Sequence, residues 1–141
     1  MGEYIDQFCE NLRTKLTSID NNMESLKAKI ESKAKTAEQD VQSHLNGVKK
    51  RMEQDRAKLA TAQADMNKWA NERKATADAK IAEWKAKMET AKLKGRAEGA
   101  ERYAAAAVVV AAAAIDEAER ASLEAWLARK DADGAQASKA A

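Results

Sequence analysis

Thirteen consecutive residues, Tyr103 to Ile115 (YAAAAVVVAAAAI), carry no charge, and they are bounded by Glu101-Arg102 on one side and Asp116-Glu117 on the other. A helix drawn over this stretch is apolar on every face, and a helix that is apolar all round is buried all round. At 1.5 Å per residue it spans about 20 Å, short of the ~30 Å hydrocarbon core of a bilayer. Alanine also contributes little insertion free energy, so no transmembrane span is expected. The cover must then be protein, and the chain has little to spare. Of 141 residues 33 are Ala, while Val, Ile, Leu and Phe together number 19. That is below the roughly 20% at which chains begin to look disordered, which argues against a compact globular monomer. With no Pro, 5 Gly and 34% charged residues, the composition is that of long helices whose apolar stripes are closed by another helix or another chain.

The periodicity agrees. Ile5, Cys9, Leu12, Leu16, Ile19, Met23, Leu26 and Ile30 recur at alternating steps of three and four, a heptad seam. The register then shifts: Ala37, Val41, Leu45, Val48, Met52, Leu59, Ala62, Met66 and Trp69 form a second stripe. After another shift near Arg73, Ala77, Ile81, Trp84, Met88 and Ala91 continue it. Read within continuous helices, such shifts are stutters that unwind the supercoil into a nearly straight bundle seam.

Two places invite a break. Asn46-Gly47 is a dipeptide that commonly ends a helix, and a reversal there would leave two arms of matching length. The competing reading is one unbroken rod, since the stripe passes from Leu45 to Val48 without losing phase. Gly95-Arg-Ala-Glu-Gly99 is either a turn or a row of small residues that lets two helices approach closely. The expected organisation is a coiled-coil region over 1–94 with a reversal near 46–47, an Ala-rich oligomerisation helix over 95–133, and a disordered tail over 134–141.

Net charge is +2, too small to argue for a nucleic-acid partner. Residues 1–46, 47–94 and 95–141 carry −2, +6 and −2, as expected if a basic middle helix lies beside two acidic ones. The run Lys49-Lys50-Arg51 is a candidate anion contact at a hairpin tip, with a solvated, partly neutralised helix end as the plainer reading.

Parts for catalysis are lacking. The single Cys9 and single His44 are 35 positions apart on one expected helix and cannot form a dyad. Asp40 and His44 share a helix face, but no second His or Glu-x-x-His pair completes a metal site. No phosphate-binding glycine loop occurs. No catalytic, cofactor or metal residues are therefore assigned. Cys9 reads as a buried seam thiol. The N-terminus shows no secretory signal, and Asp6 and Gln7 stand where a myristoylation motif after Gly2 would want Ser or Thr, so a cytoplasmic location is expected.

The segment GAERYAAAAVVVAAAAIDEAERASLEAWLARKDAD resembles the C-terminal part of small, uncharacterised bacterial coiled-coil proteins that end in an Ala-rich helix followed by a D/E-E-A-E-x-A motif, here Asp116 to Ala121. The resemblance covers the last quarter to third of the chain and brings no activity or site residue. The preceding Ala/Lys/Glu-rich stretch is similar to phasins and late-embryogenesis proteins, although its large seam residues depart from the desiccation-protein pattern.

Together these readings point to an all-α, non-catalytic structural or scaffolding protein built as a homo-oligomeric bundle. Its expected oligomer interface comprises Tyr103, Ala107, Val108, Val109, Val110, Ala111, Ala114, Ile115 and Trp126. The partner is the chain itself, with an unidentified protein or a lipid surface as the others considered. The alternative is a reversible amphipathic coat on a membrane or storage granule, in which the seam opens and its Leu, Met and Trp side chains face lipid.

Overall fold

The structure, a computed structural model, describes residues 3–75 and 78–140; Gly2 and the stripe residue Ala77 lie outside the described residues. Among the described residues there are five helices and no strand: α1 (Glu3–Glu31), α2 (Ala37–Gln54), α3 (Arg56–Ala75), α4 (Asp78–Ala86) and α5 (Thr90–Ala140). The chain divides into two compact units, one of Met1–Gln54 with Ala114–Ala141, the other of Asp55–Ala113. The expected split at 94/95 is not the observed one, because α5 starts at Thr90 and contributes residues to both units.

The first unit is a three-helix bundle. The faces of α1 and α2 that carry the two stripes meet the C-terminal part of α5, and the core is Leu26 from α1, Val41, Leu45 and Val48 from α2, and Leu123 from α5. Met23, Ile30, Met52, Trp126 and Leu127 pack against it. Burying such side chains contributes about 1.5–3 kcal/mol each, so this cluster dominates the unit's stability. Lys15 of α1 and Arg51 of α2 both pair with Asp116, while Lys130 pairs with Glu38. The C-terminal part of α5 therefore runs parallel to α1 and antiparallel to α2.

The reversal between α1 and α2 lies at 32–36, not at Asn46-Gly47, which sits inside α2 with its helix intact. The reason is in the hydrogen bonds. Ala34 N donates to Lys29 O (3.1 Å) and Lys33 N to Ile30 O (3.0 Å), the pair of bonds that closes a Schellman motif, with Lys33 in the left-handed region at φ 54°. The same motif ends α4: Glu89 N donates to Trp84 O (3.0 Å) and Met88 N to Lys85 O (3.2 Å), with Met88 at φ 57°. Both left-handed positions are held by residues other than glycine. Met88, expected on the apolar stripe, is instead an exposed turn residue.

In the second unit α3 packs on the N-terminal part of α5. The Trp69 and Tyr103 rings lie 4.6 Å apart, tilted by 31°. Gly99 is buried beneath Trp69, and a Cβ there would stand 3.3 Å from the indole Nε1. Of the two readings of Gly95 to Gly99, close approach is thus the observed one at Gly99, and no turn occurs. Ala62 and Ala106 are buried in the same unit, alanine itself serving as packing surface. The tail expected to be disordered from Gly134 onward is helical through Ala140, since nothing in GAQASKA stops a helix as Pro would.

Candidate functional site

The most unusual chemistry in the first unit is a pair of buried carboxylates. Asp116 and Glu119 are three residues apart on α5, immediately after the uncharged stretch, and therefore share a face. That face is turned into the bundle, where their side chains retain 4% and 2% of their exposure. Uncompensated carboxylates there would be prohibitive, and each has partners. Asp116 Oδ1 accepts from Lys15 Nζ at 2.8 Å and from Arg51 Nη2 at 3.0 Å. Glu119 Oε1 accepts from the same Arg51 Nη2 at 2.9 Å, and Glu119 Oε2 lies 3.4 Å from His44 Nε2. Arg51 thus bridges two acids one turn apart. Although its partial burial works against the charge, hydrogen bonding and attraction to Asp116 and Glu119 raise its pKa further above the ordinary arginine value.

Beside this network runs a groove of about 380 Å³. Asn11, Thr14, Ser18 and Asn22 line it from α1, with Lys15, Arg51 and Glu119 exposing part of the network to it. Arg51 Nε is buried there and makes no hydrogen bond. Two cationic heads answer two carboxylates, so the groove presents amides and hydroxyls against a balanced background rather than net charge. Such a network returns little net stability, because desolvation offsets the attraction; its physical effect is on register. Sliding α5 by one turn, about 5.4 Å, would leave a buried acid without its cation.

The sequence-derived candidates fall in several places. Arg51 belongs to the network, Lys49 Nζ lies 3.3 Å from Glu124, and Lys50 is exposed. The three sit inside α2, and the α1/α2 reversal lies at 32–36 rather than beside them. Trp126 is half-buried against the first unit's own core, and Tyr103 stacks on Trp69, so both already have packing partners within the chain. Ala107, Val108, Val109, Val110 and Ile115 are half-buried, whereas Ala111 and Ala114 are exposed. The uncharged stretch is therefore not buried all round by its own chain. Cys9, read as a buried thiol, is exposed, as are Ile5, Phe8 and Leu16 on the same half of α1. Asp40 turns to Lys29 (3.2 Å) and His44 to Glu119, so the two do not converge. Among the described residues no group of three or more His, Cys, Asp or Glu is placed to hold a metal ion, and no helix is long and apolar enough to cross a membrane.

Sequence reasoning passed over Asp116 and Glu119. The available signal was their phase: continuing the α5 stripe back from Leu123 and Trp126 by three- and four-residue steps lands on both. Comparison with protein-family models, with curated proteins and with solved structures found no match to the chain.

Proposed function

We propose that the protein is a non-catalytic helical scaffold that assembles with copies of itself through the Ala/Val-rich stretch of α5. One observation carries the reading: Val108, Val109 and Val110 remain half-exposed and Ala111 exposed, in a segment with no charge to solvate any face. Small side chains allow helix backbones to approach closely and to gain dispersion contacts where large residues are few. The charged network of the first unit supports the same reading, since the Lys15 and Arg51 cations are neutralised by carboxylates within the bundle. Its role is to fix α5 on the α1/α2 hairpin.

Light scattering coupled to size exclusion tests the proposal. Val109→Asp and, at an exposed position where the chain's own packing is undisturbed, Ala111→Glu should both lower the assembled mass, with helicity by circular dichroism retained in Ala111→Glu. An unchanged mass in both variants overturns it.

A further inference from the structure

The α1 seam is regular from Ile5 to Ile30, yet it is covered unequally: Met23, Leu26 and Ile30 pack in the first unit's core and Leu12 and Ile19 are half-buried, while Ile5, Phe8, Cys9 and Leu16 are exposed. Ile5 keeps 68% of its exposure, Leu16 46% and Phe8, alongside them, 43%. These three alone present roughly 300 Å² of apolar surface, the size of the largest patch on an ordinary monomer and one that commonly marks an interaction site. We infer that the first half of α1 pairs with the same segment of a second copy, antiparallel and about a two-fold axis near Glu10 and Asn11.

Three features select this occupant and this orientation. A parallel, in-register partner would have to follow the seam into Met23, Leu26 and Ile30, where α2 and α5 already sit. An antiparallel partner centred between Cys9 and Leu12 uses the more exposed half, in which Leu12 is half-buried, placing Ile5 against Leu16 of the second copy and Cys9 against Leu12. In that register Asp6 faces Arg13 of the second copy, and symmetry makes the pair twice. Arg13 is available for it: its bond to Glu10 (3.0 Å) is solvent-exposed at both ends and holds it only weakly. The apolar area, doubled across the axis to about 600 Å², is well below the ~1,200 Å² of a standard interface. The pairing is therefore concentration-dependent on its own, and becomes firm when a second contact, such as that proposed for α5, supplies avidity.

The inference concerns a surface separate from the α5 stretch, and its test is run in the Val109→Asp background so that the two can fail independently. With Cys9→Ser removing the native thiol, chains carrying Ile5→Cys are mixed with chains carrying Leu16→Cys and oxidised. The antiparallel register joins the two kinds of chain, and neither kind alone, because two copies of position 5 stand about 16 Å apart along the helices. A disulfide formed by Ile5→Cys chains alone, or none in the mixture, overturns the inference. Without the Val109→Asp change, Asp6→Arg or Arg13→Asp alone sets like charges opposite each other twice and should weaken the concentration-dependent gain in mass at least tenfold, while the double exchange restores it. Equal behaviour of single and double variants refutes the register. Anionic vesicles that take up the protein through Ile5 and Phe8 with no change in mass would assign the face to lipid and likewise overturn it.

Discussion

Removing the head of Arg51 isolates what the buried carboxylates require. Arg51→Met keeps the aliphatic stem that packs along α2 and deletes two charge-assisted hydrogen bonds, at 3.0 Å to Asp116 and 2.9 Å to Glu119. Asp116 keeps Lys15, but Glu119 is left with His44 alone at 3.4 Å. Breaking a fully buried pair by removing one partner costs about 3–5 kcal/mol, and here that figure must be reduced. The Arg51 side chain is 41% exposed, and one of its two acids has a second cation. A loss of about 2 kcal/mol follows, some 30-fold in the folding equilibrium of the unit. Lys15→Met should cost about half as much, because Arg51 still answers Asp116. Urea unfolding provides the measurement, followed by Trp126 fluorescence with Trp69→Phe and Trp84→Phe in the background, since Trp126 packs on the first unit's core. With m near 2 kcal/mol/M the midpoint should fall by about 1 M. Adding Glu119→Leu to Arg51→Met removes the stranded carboxylate and should recover at least about 1 kcal/mol. An unchanged midpoint in Arg51→Met, or a double variant no more stable than the single, would refute the claim that Glu119 is buried at Arg51's expense.

Two further stability changes follow from backbone geometry. Lys33 and Met88 occupy left-handed positions that disfavour a Cβ, so Lys33→Gly and Met88→Gly should each raise the thermal midpoint, with a gain of about 0.5–1 kcal/mol set against the greater freedom glycine has when unfolded. Lys33→Val should lower it, and equal stability of the Gly and Val variants would exclude the Schellman reversal. Gly47 is inside a helix with open space where a Cβ would sit, so Gly47→Ala should stabilise by up to about 1 kcal/mol, whereas at Gly99 the same change meets Trp69 at 3.3 Å and should gain less. Denaturant midpoints for the pair check this; Gly99→Ala matching Gly47→Ala would show that the indole does not press on the helix.

The fold was legible in the stripes and misread at the punctuation. Val41, Leu45 and Val48 form a seam in the sequence, and with Leu123 they are the most deeply buried large apolar side chains of the first unit. Asn46-Gly47 reads as the reversal because glycine is the cheapest residue in the left-handed region. Yet the stripe runs unbroken across Gly47 from Leu45 to Val48, whereas after Ile30 the next seam position falls on Lys33 and no large apolar residue follows until Val41, and the chain turns within that gap. A stutter within a rod and a reversal between two helices write the same interruption in the sequence. What distinguishes them is whether the two segments have each other to pack against. Cap energetics, about 1 kcal/mol at a Lys or Met forced left-handed, are small beside the burial of a seam. The hydrophobic phase therefore overrides the local preference, and the turn is imposed on residues that do not favour it.

The same ordering of magnitudes explains why the carboxylate site was hidden. Asp and Glu on an Ala-rich helix are read as solvated, and at Glu117 that is correct: it lies on the outer face, where a bond from Arg120 holds its carboxyl below the ordinary glutamate range. Around α5, Asp116 is turned from it by about 100° and Glu119, in the same sense, by about 160°. That rotation carries them onto the face occupied one turn later by Leu123, and from there the nearest cations belong to Lys15 and Arg51, 101 and 65 residues away in the chain from Asp116. Composition and local charge patterning contain no trace of such pairs. Helical phase locates the acids, and only the three-helix packing supplies the cations, so the site arises at the level where α5 meets the α1/α2 hairpin. A helical bundle that uses alanine for much of its packing surface needs some feature that rejects a slipped register, and two acids one turn apart sharing one guanidinium provide it.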